Sequence, residues 1–373
     1  MAINFPNNPT NGQIFSEGNK SWQWLGNRWG TYNIQNPEAF AFRNKIINGD
    51  MKISQRYGTT TQTAINVNGL GFPVDRFCFT DGIGANWPTN GVITYRQNSN
   101  TSLPQFPNSI FLSTTTTGTI GTNNACAIRQ SIEGINISDL AWGTSSAEPI
   151  TISFWVKSSL IGTHSLTVNG LINDRTTTRR YASTYNISST SWEYKSVTIP
   201  GDTTASTTWF TGTSAAGLNV IWGLGAGANF QTTPNTWGTG GQIAASGTVN
   251  IIANAGATFE ITGVQLEKGT TATPFEHRPI GTEWSLCGRY FQLGGHWIDA
   301  NQPNADLAWR FIFHFRDIKR TTTPIITRTA GALASTIAPG FTLGTNDQWA
   351  ILSVQISPVG TEYGVNFTVD AEL

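Results

Sequence analysis

The chain has 373 residues, with 22 Lys and Arg balanced by 22 Asp and Glu, and only 12% of it is charged. Without net positive charge or basic runs it lacks the electrostatic footprint of a nucleic-acid binder or a polybasic membrane binder. No apolar run approaches the roughly 20 residues that span a bilayer, and "MAINFPNNPT" has neither the basic start nor the apolar centre of a secretory signal. A soluble protein made in a cytosol is therefore expected. Its three cysteines, Cys78, Cys126 and Cys287, are far apart and form no CxxC pair, so they read as buried thiols.

In chain order, the first predicted unit is a β-meander over residues 1–33. The dipeptide Gly-Asn occurs twice, at Gly18-Asn19 and Gly26-Asn27, and both residue types tolerate the positive φ of a tight hairpin turn. Two-residue loops there pair Phe15 with Trp22 and Trp24 with Trp29, and strand alternation puts all four rings on one face. Three strands of this length are too small to bury such a face unaided, so Phe15, Trp22, Trp24 and Trp29 are expected to form an assembly contact. Residues 34–43 read as a linker.

From 44 to 280, strand-like runs recur between Gly, Asn, Pro and Thr clusters. "PITISFWVKSS" alternates Ile150, Ile152, Phe154 and Val156 inward against Thr151, Ser153, Trp155 and Lys157 outward. "WEYKSVTIPG", "LNVIWGLG" and "ATFEITGVQLEKG" behave similarly, with Gly263 marking a bulge in the last. Many short strands without helical patterns between them imply a two-sheet sandwich.

"GTEWSLCGRYFQL" predicts a connecting helix over 281–293, capped by Thr282, with Trp284, Cys287, Tyr290 and Phe291 near one face. Residues 294–373 then read as a small C-terminal β domain. In "WRFIFHFRDI", Trp309, Phe311, Phe313 and Phe315 share one side, which needs a second sheet or another copy of the chain against it. The fold class is all-β.

Catalytic constellations are not evident. Asp75, Asp81, Asp139, Glu148, Asp174 and Glu276 are scattered through turns and strand ends, and no pair can be chosen to flank a glycosidic bond. There is no GxSxG elbow, and His164, His277, His296 and His314 are isolated. No zinc-type spacing occurs, and no cofactor is expected. A sandwich-bound calcium is left open, although no loop carries an EF-hand pattern. "GLGAGANF" leads into no helix that could meet a phosphate, so its glycines read as close strand packing.

Tryptophans offer a different chemistry, because a flat indole matches the C–H face of a pyranose while nearby Asn or Thr bonds its hydroxyls. Trp87 in "GANWPTNG" and Trp237 in "QTTPNTWGTGG" lie in loop-like sequence and are the candidate ligand-binding residues. Trp155, Trp209 and Trp222 are strand-borne and read as packing.

Several separated blocks then resemble a known family. "IINGDMKISQR", "IRQSIEGINISDLAWGTSSAEPITISFWVKSS", "YKSVTIPGDTT", "GLGAGANF" and "TFEITGVQLEKGTTATPFEHRPIGTEWSLCGRYF" are similar, in this order, to the jelly-roll domain of tail-fibre and receptor-binding proteins of tailed bacteriophages. That domain is similar in turn to the sandwich of carbohydrate-binding modules. The resemblance covers roughly residues 45 to 291, and the opening "FPNNPTNGQIFSEGNKSWQWLGNRW" is similar to short aromatic modules of phage structural proteins. It implies a virion (tail) protein made in the host cytoplasm, homotrimeric, attached through its N-terminal module to other tail proteins. Its partner would be host-surface polysaccharide, recognised without catalysis, and no nucleic acid or membrane insertion is expected. A tail adaptor or head-decoration protein without sugar binding, and a polysaccharide-degrading tailspike, are the rival readings.

Overall fold

The computed structural model describes residues 5–11, 13–17, 20–24, 26–32, 42–65, 71–80, 85–171, 178–204, 209, 212–299, 308–321, 324–329, 349–355 and 362–372. The chain divides into two compact units, Met1–Arg43 and Asn44–Leu373. Of the expected linker over 34–43, all but Phe42 and Arg43 lies outside the described residues.

Unit 1 is a three-stranded meander of β1 (Ile14–Glu17), β2 (Lys20–Trp24) and β3 (Trp29–Tyr32), in that order across the sheet. Phe15 pairs with Trp22 and Trp24 with Trp29, the register that the Gly-Asn spacing predicts. Gly26 takes φ +89°, a turn conformation that glycine adopts without a Cβ clash. Gly18 and Asn19 lie outside the described residues.

Unit 2 opens with β4 (Gln62–Ile65), β5 (Gly71–Val74), β6 (Phe77–Thr80), β7 (Val92–Ser99), β8 (Asn108–Thr116) and β9 (Ala125–Glu133). It continues through β10 (Ile150–Ser158), β11 (Gly162–Leu171), β12 (Thr178–Ile187), β13 (Glu193–Ile199) and β14 (Ala216–Ala226). Two short strands, β15 (Gln231–Thr232) and β17 (Ala244–Ala245), flank β16 (Trp237–Thr239), and β18 (Thr258–Lys268) follows. Two antiparallel sheets result, ordered β13-β10-β18-β8-β7-β4 and β16-β12-β11-β14-β9-β6-β5.

These two sheets make the all-β sandwich, because alternation gives each an apolar inner face. Ile152, Phe154 and Val156 of β10 and Ile261 and Leu266 of β18 share one core with Leu166 and Val168 of β11 and Val220 and Trp222 of β14. Phe154 meets Trp222 edge-on across the layers, with ring centroids 5.7 Å apart. Each such fully buried side chain contributes about 1.5–3 kcal/mol of transfer free energy. The three cysteines are buried as well.

Gly263 forms the expected bulge. Ser153 pairs with Gln265 and Trp155 with Thr262, so Gly263 and Val264 together oppose Phe154. With φ +60°, Gly263 allows the ring of Phe106 to lie where a Cβ would be 2.8 Å from it. The glycines of "GLGAGANF" serve close packing too, since a Cβ on Gly225 would approach Ile120 Cδ1 to 2.7 Å.

The predicted connecting helix is shorter than 281–293 and starts differently. Helix α1 runs Ile280–Gly288, with Pro279 at its N-cap and no side-chain cap, so Thr282 does not cap it. The carbonyl of Pro279 accepts the Glu283 N–H at 3.1 Å, which starts the helix three residues before the hydroxyl that looked like a cap. Cys287 and Tyr290 are buried, but Trp284 is exposed and Phe291 belongs to the next strand.

Beyond α1, β19 (Phe291–Asp299), β23 (Glu362–Asp370) and β21 (Ile325–Thr329) form one small sheet, and β20 (Ala308–His314) pairs with β22 (Trp349–Gln355). Phe313 packs on Phe367 of β23 at 4.7 Å and on Phe315 at 6.1 Å. The side chains of Trp309 and Phe311 lie outside the described residues. Ion pairs tie this end of the chain to the sandwich. Arg289 donates to both oxygens of buried Glu133, at 2.7 and 2.9 Å, and Tyr290 Oη donates to Glu133 Oε1 at 2.6 Å. Arg56 reaches Asp370 at 3.0 Å, and Arg76 pairs with Glu372.

Candidate functional site

The outer face of the six-stranded sheet carries a groove of about 620 Å³. Its floor is set by strand alternation. With Phe154 and Val156 turned into the core, Ser153 and Trp155 of β10 point the other way. Trp155 stands directly opposite Tyr194 of the edge strand β13, and their rings tilt at 56° with centroids 5.6 Å apart. Tyr194 is 46% exposed and Trp155 half-buried, so both keep ring area open to solvent.

One wall rises from the bulge. Phe106 lies over Gly263, stacks with His277 at 5.7 Å and meets Phe275 edge-on at 5.1 Å. Ala272, Thr273 and Pro274 complete the lining, with Gln105 beside Phe106. The segment carrying Phe275 and His277 is clamped on both sides. Glu276 N donates to Gln265 Oε1 at 2.8 Å, and Glu276 Oε2 accepts the Asn44 N–H at 2.9 Å.

No Asp, Glu, Lys or Arg is among the described residues that line the groove. Charges surround it on the same sheet face. Lys157 of β10 binds Glu260 of β18 at 3.0 Å, and Glu260 also accepts from Ser109 Oγ at 3.1 Å. Glu267, buried at the other end of β18, takes its hydrogen bonds from Gln265 Nε2 and from the N–H and hydroxyl of Thr273. The arrangement offers flat rings, the hydroxyls of Ser153 and Thr273 and the Gln105 amide, which suit sugar stacking and hydrogen bonding.

The tryptophans chosen from sequence lie elsewhere. Trp87 is 4% exposed and belongs to the main core, a correction to its reading as a ligand contact. Bridges from Asn86 to Asn124 and from Thr89 to Thr119 pin its segment and hold the indole inward, where Nε1 donates to Gly91 O at 2.8 Å. Trp237, on edge strand β16, is half-buried, and its ring lies 5.2 Å from Trp142 and Tyr181 and 5.8 Å from Trp209. Its Nε1 is already engaged by Pro200 O at 3.1 Å. Beneath that cluster, Asp202 binds Arg179 through two hydrogen bonds, of 2.7 and 2.9 Å, and accepts from Trp209 Nε1 at 3.0 Å. Burial opposes the Asp202 charge, but these donors prevail and hold its pKa below the ordinary value.

In unit 1, Phe15, Trp22, Trp24 and Trp29 are all half-buried and cluster together. Phe5, which the sequence reading passed over, stacks on Trp29 at 5.1 Å and meets Phe15 and Trp22 edge-on, each at 5.4 Å. Part of the aromatic face is thus covered from within the unit.

Among the described residues, the carboxylates and histidines singled out from sequence take up separate places. Asp139 pairs with Lys45 at 2.7 Å and Glu148 with Lys268 at 3.6 Å, while Asp81 and Asp174 lie outside the described residues. His164 is buried between Tyr185 and Phe259, and burial lowers its pKa. The side chain of His296 is outside the described residues, and His314 is exposed. Among the described residues, no group of three or more His, Cys, Asp or Glu is placed to hold a metal ion.

No protein-family model and no curated protein matches the sequence. Solved structures do show similarity. The enzymatically active domain of tailspike protein 4 of bacteriophage CBA120 aligns with 61% of this chain at 10% identity and a TM-score of 0.29, and the chain spans only 22% of that protein's length. A family 11 carbohydrate-binding module of a Clostridium thermocellum cellulosomal cellulase aligns over 58% of this chain and 98% of its own, at 12% identity and TM-score 0.27. A family 16 carbohydrate-binding module aligns over 47% and 84%, at 11% identity and TM-score 0.24. Likeness at this level carries no assignment by itself. The two antiparallel sheets and their shared core define the β-sandwich class.

Proposed function

We propose that the chain is a non-catalytic, glycan-binding component of a phage tail, a fibre or receptor-binding protein whose sandwich recognises host-surface sugar. The observation that carries this reading is the solvent-facing Trp155–Tyr194 pair on the floor of an uncharged groove. The ordered resemblance over residues 45–291 supports the virion setting. Binding at each groove need not be tight, because several copies on one particle rebind at high effective concentration.

The test uses purified full chain on host cells and on glycans extracted from them. Binding by the parent and its loss in Tyr194→Ala and Trp155→Ala would support the reading. Binding that both variants retain would retire the groove, and reducing ends released from host polysaccharide would replace recognition by hydrolysis. The same reading expects a trimer in solution, which a monomeric mass at micromolar concentration would contradict.

One observation favours a second reading, a tail adaptor or head-decoration protein. The aromatic cluster of unit 1 remains only half-buried, as a face awaiting another virion protein would be. Failure of the purified chain to bind cells that intact particles bind would turn the assignment that way.

A further inference from the structure

We infer that the groove selects neutral saccharides and rejects acidic ones such as uronate-rich or sialylated chains. This deepens the proposed glycan recognition and rests on it. An acidic sugar needs a cation or a cluster of oriented N–H donors where its carboxylate lands. The described lining supplies aromatic rings, the Ser153 and Thr273 hydroxyls, the Gln105 amide and His277, with no Lys or Arg.

The surroundings strengthen that bias. Outward positions of β18, the strand under the groove wall, carry two buried carboxylates, Glu260 and Glu267. Lys157, a cation on the same face two residues beyond Trp155, is already bound to Glu260 at 3.0 Å, and Arg96 of β7, farther along that face, lies over the Phe111 ring. Glu267 is hydrogen-bonded by neutral donors, so no cation in those contacts offsets its charge. An incoming anion meets the Glu267 carboxylate, bonded to the lining residue Thr273 beneath a poorly solvated surface, where like charges repel more strongly than in bulk water. A neutral pyranose meets no such barrier, and its C–H face can lie on Trp155 or Tyr194.

The experiment measures binding of the full chain to a matched panel of neutral and acidic polysaccharides at low ionic strength, where charge effects are least screened. The parent is expected to bind at least one neutral polymer, with at least tenfold loss in Trp155→Ala and Tyr194→Ala, and to bind acidic polymers at least tenfold more weakly. Glu260→Gln, which frees Lys157, should retain neutral binding and narrow the gap to acidic polymers. Acidic polymers bound as tightly as neutral ones, and lost in Tyr194→Ala, would overturn the selectivity while leaving glycan recognition intact. No binding to either class would overturn both.

Discussion

Arg76 and Glu372, 296 positions apart in the sequence, form a buried ion pair whose side chains are 2% and 5% exposed. Arg76 holds φ +73° in the turn between β5 and β6, and its guanidinium lies 3.4 Å from the centroid of the Tyr290 ring. Removing one member of such a pair leaves a desolvated charge behind. Glu372→Gln should therefore destabilise the chain by roughly 3–5 kcal/mol in urea unfolding. The double variant Arg76→Met, Glu372→Met should cost less than the two single changes added together.

Gly263 is a second point of leverage. Valine there would have to adopt φ +60° and push Phe106 aside. Strain and overpacking together predict a loss of roughly 2–5 kcal/mol for Gly263→Val. Denaturant midpoints give the stability, and saccharide titration should show binding weakened with it, because Phe106 is the groove's wall.

Asp75 provides a pH signature. Burial raises its pKa from 3.8 to about 6, against the opposing hydrogen bonds from Gln55. The folded state thus holds this proton more tightly than the unfolded chain, so stability increases as pH falls through about 6 and the gain is complete near 3.8. A gain on the order of 2–3 kcal/mol is expected across that range. Glu193, held at about 2 by Lys195 and by the Ser188 and Ser189 donors, titrates below it. Thermal melts between pH 7 and 5 should show the rise, and Asp75→Asn should flatten it.

Groove residues separate binding from folding. Tyr194→Ala removes an exposed ring from an edge strand and should change stability by less than about 1 kcal/mol while abolishing saccharide-induced quenching of tryptophan fluorescence. Trp87→Ala should do the reverse. It empties a core position at a cost of roughly 3–5 kcal/mol, and any saccharide affinity that survives in the folded fraction should be unchanged.

Much of this architecture was legible in local pattern. The two Gly-Asn dipeptides set the meander register, alternation over 150–157 assigned the faces of β10, and an isolated glycine in an apolar run marked the bulge. The outward direction of Trp155 was readable too, but its place on a strand made it read as packing and not as part of a groove. The groove itself was not, because Phe106, Trp155, Tyr194, Gly263 and His277 come from separate segments that only sheet pairing brings together. Trp87 misled for the opposite reason. Loop-like composition predicts exposure, but two isolated bridges fold that loop back over the core. Thr282 looked like a cap because the preceding proline carbonyl, which starts the helix, has no side-chain signature.

The clasp between Asn44 and the segment after β18 has a mechanical consequence. Asn44 opens unit 2, and its side chain accepts the N–H groups of Ile46 and Leu266, both at 3.0 Å, while its own N–H is held by Glu276. The chain thus enters the sandwich and leaves its last strand at almost the same place. Tension drawn along the chain from residue 44 to α1 would load those few bonds before the thirteen strands of the two sheets. His277 of the groove wall directly follows the clasped Glu276, so such a pull would reach that wall, while the strand-borne floor of Trp155 and Tyr194 stays outside the load path.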